Sequence, residues 1–121
     1  LEVYGIDYDT EDGSCIRDYI HVSDLADAHL RALNFLEEQD EDLVLNLGTS
    51  KGISVLEILD AARKVSGMDL PVIHSDRRPG DPAVVLASAE KAERLLEWSP
   101  AFSDVETILK TMLAAYRSHH R

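Results

Sequence analysis

Arg17-Asp18-Tyr19-Ile20-His21-Val22, followed at once by Ser23-Asp24-Leu25-Ala26-Asp27-Ala28-His29, decides the fold class of this chain. The first six residues mix aromatic and β-branched side chains, so the backbone there is expected to be extended. Ser23 or Asp24 then offers an oxygen to the unpaired N–H groups of a helix start. Leu25, Ala28, His29, Ala32, Leu33 and Leu36 recur at helical spacing and carry that helix to about Glu38. An extended piece that feeds a capped helix points to an α/β unit.

The same alternation continues on both sides. Upstream, Val3 to Gly5 reads as a strand end, and Ile6 to Ile16 is a loop rich in Asp, Gly, Thr and Ser. Downstream, Leu43 to Leu47 reads as a short apolar strand stopped by Gly48. Ser54 and Glu57 make a capping-box pattern. The helix they open buries Val55, Ile58, Leu59, Ala62 and Val65, and Gly67 ends it in the left-handed conformation that glycine accepts. Leu70 to His74 reads as a strand and Asp76 to Pro82 as a polar loop. Val84 to Ala87 is a short apolar segment. Ser88 opens a helix that ends near Trp98, and Pro100 marks the break. Ser103 and Glu106 repeat the capping-box pattern before a last helix lined by Val105, Ile108, Leu109, Met112 and Tyr116. There are no internal repeats and no low-complexity linkers. The expectation is one small mixed α/β domain over residues 1–121.

Composition narrows the function. Net charge is −11, which opposes nonspecific binding to nucleic acid or to anionic membranes. Much of it lies in Glu37-Glu38-Gln39-Asp40-Glu41-Asp42, read as a solvated connection. No apolar run approaches the roughly 20 residues that span a bilayer. The single cysteine, Cys15, cannot close an internal disulfide, so a reducing, cytoplasmic setting is expected, with Cys15 a small loop residue. Leu1-Glu2-Val3-Tyr4 lacks the basic region of a signal peptide. Without an initiator Met, the chain is expected to begin inside a longer reading frame.

Three stretches carry chemistry. Tyr4-Gly5-Ile6-Asp7-Tyr8-Asp9-Thr10-Glu11-Asp12-Gly13, Arg17-Asp18-Tyr19-Ile20-His21-Val22 and Arg77-Arg78-Pro79-Gly80-Asp81 together resemble the UDP-glucose 4-epimerases, within the extended short-chain dehydrogenase/reductases. The resemblance runs from Val3 to about Tyr116 and matches their C-terminal, substrate-binding part. It implies a small domain packed on a Rossmann domain that this chain lacks, and an apolar face exposed where the two would meet. In the parent enzyme it implies NAD as cofactor, a UDP-sugar as substrate and a possible homodimer.

The residues and the resemblance speak separately. Arg17 carries a planar fork of donors suited to a diphosphate. By itself, beside Asp18, it reads as a local ion pair. The resemblance makes it a diphosphate ligand. Arg77 and Arg78 can diverge in a loop and alone read as a flexible basic turn; the resemblance selects Arg78 as the second clamp on the diphosphate. Asp81 alone stabilises a turn, whereas the resemblance sets it against the ribose hydroxyls. Tyr4 is a core aromatic at a strand end or, by resemblance, a face near the uracil. Val85 occupies, by resemblance, the position beside the sugar. A valine there implies room for an N-acetyl group.

Other patterns fail. His21, His29 and His74 show no zinc spacing, and His119-His120 reads as a frayed tail. Asp7, Asp9, Glu11 and Asp12 lack the closing Glu of a calcium loop. Gly48-Thr49-Ser50-Lys51-Gly52 has neither dinucleotide nor P-loop spacing. No metal is expected. Tyr4, Tyr8, Tyr19 and Tyr116 are followed four residues later by Tyr8, Asp12, Ser23 and His120, so the Tyr-x-x-x-Lys pair of the family is missing. No catalytic residue and no cofactor site are expected here. Two functions stay open: the substrate-binding part of an NAD-dependent epimerase, or a stand-alone nucleotide-sugar-binding or interaction module.

Overall fold

The computed structural model describes residues 1–39 and 41–119. Its elements in chain order are β1 (Glu2–Tyr4), β2 (Ile16–Arg17), α1 (Val22–Gln39), β3 (Ile53–Ser54), α2 (Val55–Ser66), β4 (Ile73–Ser75), β5 (Val84–Val85), α3 (Glu90–Leu96) and α4 (Val105–His119). β1 runs parallel to β4, with Tyr4 opposite Ser75. β2 lies between β3, antiparallel, and β5, parallel, and Arg17 faces both Ile53 and Val85. The fold is thus small, mixed α/β, and the described strands form no doubly wound sheet.

Local chemistry explains the best-formed helix. Ser54 Oγ accepts the Glu57 N–H at 3.0 Å while Glu57 Oε2 accepts the Ser54 N–H at 2.8 Å. Two orphan donors are satisfied reciprocally. At the far end Gly67 takes φ 68° and its N–H reaches the Arg63 carbonyl. The loop before β2 closes on another glycine. Gly13 has φ +80°, and a Cβ there would collide with the Ile6 carbonyl, so only glycine fits the turn.

Several helix starts differ from the sequence expectation, for one shared reason. Neither Ser23 nor Asp24 caps α1: the helix begins at Val22, and the Ser23 N–H donates to His21 Nδ1 at 3.0 Å. The Asp24 carboxylate instead accepts the Ala101 and Phe102 N–H groups, both at 2.9 Å, and the Ser103 hydroxyl at 2.5 Å. Ser103 Oγ in turn accepts the His21 N–H at 2.9 Å. With Ser103 committed to α1, α4 is capped by Asp104, whose carboxylate accepts the Thr107 N–H at 2.8 Å. Two expected caps therefore serve as a tie between distant segments. α3 starts at Glu90, later than the Ser88 expected. Its last turn stops at Leu96, with Glu97 in the left-handed conformation. β4 begins at Ile73 rather than Leu70, and β2 covers only the first residue of Arg17–Val22.

The expected strand at 43–47 does not form among the described residues. The segment alternates as an extended chain does, and Leu43, Leu45 and Leu47 pack on a core of Ala28, Ala89, Ala92, Leu96 and Trp98. Val44 is 82% exposed, and none of the described strands pairs with this segment. Period-2 hydrophobicity specifies an extended backbone, but a strand also needs a neighbour to bond. Asp40 and His120 lie outside the described residues; His119 belongs to α4.

Candidate functional site

The five residues singled out from the sequence meet on one surface. Arg17 sits on β2, directly opposite Val85 of β5. A guanidinium nitrogen of Arg17 donates to Asp81 Oδ1 in a short, part-buried ion pair, and another donates to the Ile16 carbonyl at 2.7 Å. Asp81 closes the turn after Arg78, its N–H donating to the Arg78 carbonyl at 3.2 Å. The second carboxylate oxygen, Oδ2, accepts from Arg78 at 2.8 Å. The Arg78 guanidinium then lies 4.9 Å from the centre of the Tyr4 ring. Tyr4, Arg78, Asp81, Arg17 and Val85 thus form a continuous row across both strand sets.

This corrects one reading. Adjacency in sequence pairs Arg17 with Asp18, but its carboxylate partner is Asp81. Asp18 is engaged elsewhere: it accepts the Thr49 N–H at 2.9 Å, the Thr49 hydroxyl at 2.6 Å and the Ala87 N–H at 3.3 Å. It therefore straps the chain beyond β5 to the start of the 48–52 loop and holds Val85 beside Arg17. Alternation along an extended chain carries a clue to this, since residues 17 and 18 point to opposite faces.

Arg77 and Arg78 do diverge. Arg77 Nε donates to Asp7 Oδ1 at 2.7 Å, and its guanidinium stacks 4.2 Å from the centre of the buried Tyr8 ring. Arg78 faces the row instead. Tyr4 is held at its far end, its hydroxyl donating to Glu2 Oε2 at 2.7 Å. One aromatic face of Tyr4 is therefore covered by a cation.

The electrostatics follow from the pairs. The hydrogen bond from Arg78, aided by the charge of Arg17, holds the Asp81 carboxyl below the usual carboxylate range against the upward push of burial. Burial pushes the Tyr19 phenol up while the charge of Arg17 pulls it back. Sequence reasoning passed over Tyr19, although it stands two residues from Arg17. Cys15 is buried, its Sγ 3.9 Å from Asp81 Oδ2. His21 is also committed: Nδ1 accepts the Ser23 N–H, so the ring proton sits on Nε2, 2.8 Å from the Thr111 hydroxyl. It joins α1 to α4. Among the described residues no three His, Cys, Asp or Glu side chains converge on a metal position.

Two fixed arginines around one carboxylate, with an aromatic at one end and a small apolar residue at the other, suit an anionic ligand with a flat group and a polar body. The NAD dependent epimerase/dehydratase family matches residues 2–48. The chain is 45% identical to the UDP-glucose 4-epimerase of Lacticaseibacillus casei over 98% of its own length and 36% of that protein. It superposes on a crystal structure of a UDP-glucose 4-epimerase with TM-score 0.93 and 42% identity, over 98% of this chain and 36% of that one.

The chain belongs to the epimerase/dehydratase family. It spans about a third of the length of the curated relatives it matches. A third relative, the UDP-glucose-4-epimerase of Stenotrophomonas maltophila, was solved with bound NAD and formylated UDP-arabinopyranose. It matches at TM-score 0.90 and 40% identity over all of this chain and 36% of its own.

Neither α1 nor α2 offers a dinucleotide a free helix N-terminus. Such a cofactor rests its pyrophosphate on free N–H groups at a helix N-terminus. At α2 those groups are taken: Val55 N–H donates to the Cys15 carbonyl, Leu56 N–H to Ser14 Oγ and Glu57 N–H to Ser54 Oγ. At α1 the Ser23, Asp24 and Leu25 N–H groups all turn back to His21. No helix among the described residues is long and apolar enough to cross a membrane.

Proposed function

We propose that this chain is the UDP-sugar-binding part of a UDP-glucose 4-epimerase and contributes substrate binding to NAD-dependent inversion at the sugar C4. The observation that carries the reading is the row Tyr4, Arg78, Asp81, Arg17 and Val85, assembled from β1, β2, β5 and the 76–82 loop. Arg17 and Arg78 clamp the diphosphate from two sides, since a guanidinium binds phosphate oxygens with charge-assisted bonds. Asp81 accepts from the ribose hydroxyls. Tyr4 packs near the uracil, and Val85 borders the sugar with space for an N-acetyl group. NAD, the catalytic tyrosine and its lysine belong to the region these residues would pack against. Leu30 and Leu33 on α1, 63% and 54% exposed, offer apolar surface for that contact.

Calorimetric titration with UDP tests the binding half. The chain should give a saturable heat, and Arg78→Ala should weaken the affinity by about tenfold or more, the loss of one charge-assisted contact. Arg78 is largely exposed and supports no core packing, so the variant should keep the parent's melting temperature. No heat at millimolar UDP would remove the proposal. The catalytic half is tested by reading the frame upstream of Leu1, where a glycine-rich βα turn and a Tyr-x-x-x-Lys are expected. A start codon immediately before Leu1 would leave binding without catalysis.

A further inference from the structure

Residues 76–80 are exposed one after another, so burial does not hold the stretch that carries Arg78. Hydrogen bonds hold its two roots. The Gly5 N–H donates to the Ser75 carbonyl and the Ile16 N–H to the Ala83 carbonyl, both at 2.8 Å. Between the roots, Arg77 reaches across to the 6–16 loop. Its Nε donates to Asp7 Oδ1 at 2.7 Å, and a second guanidinium nitrogen donates to the Asp7 carbonyl. The guanidinium carbon lies 4.2 Å from the centre of the Tyr8 ring. That ring is a fixed platform: Tyr8 is 6% exposed, and its N–H donates to the Gly13 carbonyl at 2.9 Å. Gly5 makes room for the stack, since a Cβ there would collide with both the Tyr8 ring and Arg77 Cγ. Stability does not explain the arrangement. The Arg77 and Asp7 side chains are 45% and 73% exposed, and an ion pair so open to water adds little to folding. What two bonds from one planar fork do fix is direction.

We infer that Arg77 is a positioning residue: by latching the 76–82 loop onto Asp7 and Tyr8, it aims Arg78 at a bound diphosphate and makes no contact with the ligand itself. The inference rests on the nucleotide reading of the row. Neighbouring Cα atoms stand about 3.8 Å apart, so a fixed Arg77 fixes where the Arg78 side chain starts. Without the latch, binding would have to order the loop as well as the Arg78 side chain. Arg77 therefore acts through Arg78 or not at all. A third phosphate ligand would add its contact whether or not Arg78 is present. A cation that only raised the local potential could be replaced by lysine, whereas the latch needs the fork that lysine lacks.

Calorimetric titration of the 121-residue chain with UDP tests the latch, on Arg77→Ala, Arg77→Lys, Arg78→Ala and the double alanine variant. Arg77→Ala should weaken UDP by about three- to tenfold, the effect of leaving one long side chain to be ordered at binding. It should melt within about 2 °C of the unmodified chain. Arg77→Lys should bind as weakly as Arg77→Ala. In the Arg78→Ala background, Arg77→Ala should change the affinity by less than about twofold, because the residue it aims is gone. Should Arg77→Ala not fold, Asp7→Ala removes the latch from its other side and should weaken UDP by about threefold. If the unmodified chain binds UDP and loss of the latch leaves the affinity unchanged, or Arg77→Lys restores it, or the two alanine losses add, the latch is wrong and the nucleotide reading stands. Where the Arg78→Ala background binds too weakly to titrate, the lysine variant decides. No binding of UDP by the unmodified chain overturns both.

Discussion

Trp98→Ala should cost about 3–5 kcal/mol of folding stability, the range for removing a large buried aromatic. Trp98 is fully buried and stands at the centre of the Ala28, Ala89, Ala92 and Leu96 cluster. Its neighbours there are mostly alanines. Small side chains on packed backbone cannot swing in to refill an indole-sized void, so the cavity persists. Domains of this size are stable by about 5–15 kcal/mol, so the variant loses a large share of the total. Urea unfolding followed by circular dichroism measures it. Trp98→Phe separates the contributions: it keeps most of the volume and loses the indole N–H, which donates to the Asp24 carbonyl at 3.0 Å. That variant should lose about 1–2 kcal/mol, the cost of an unpaired buried carbonyl plus some packing. A loss under about 1 kcal/mol for alanine would mean the cluster does not hold the fold.

Asp24→Ala should be nearly as severe, about 3 kcal/mol, because it strands three donors at once. The carboxylate is 3% exposed and holds Ala101, Phe102 and Ser103 against the start of α1. Acid should report the same tie. Burial pushes the Asp24 carboxyl up, but the Ser103 hydroxyl and the Ala101 and Phe102 N–H groups pull it further down. Its folded value lies below its unfolded one. The stability it provides is therefore complete above the ordinary carboxylate range and is lost as pH falls through the folded value. The unmodified chain should lose stability below about pH 4, and Asp24→Ala should lose distinctly less over that window. Parallel acid limbs for the two proteins would rule Asp24 out as a source of acid sensitivity.

Much of the site was legible because its signals are local. Arg78, Pro79, Gly80 and Asp81 are contiguous, and a turn brings the first and last of them together without help from the rest of the chain. Ser54 with Glu57, and Gly67, could be assigned for the same reason, since capping depends on residues within one helical turn. Trp98 was harder. It read as the end of a helix, and nothing in its neighbourhood announces that it joins a core built from α1, α3 and the 43–47 segment. Asp24 and Ser103 were assigned to caps because each has a capping residue's chemistry and stands before a periodic stretch. Side-chain oxygens that can cap can also bond any other donor within reach, and a separation of 79 positions along the chain hid the better partner.

The sequence by itself determined the class of fold, the existence of the helices and the residue types of the candidate site, because periodicity, capping and turn chemistry act over a few residues. Only the tertiary structure decided which charges neutralise one another. Asp18 and Asp81 are equally carboxylates, and the nearer in sequence is not the one that Arg17 meets. β2 pairs in parallel with β5, which brings the 78–85 stretch alongside Arg17, while the strand alternation turns Asp18 away. The extended segment 43–47 makes the same point for the backbone. Its pattern specifies the conformation, but a sheet forms only where another strand supplies the hydrogen bonds.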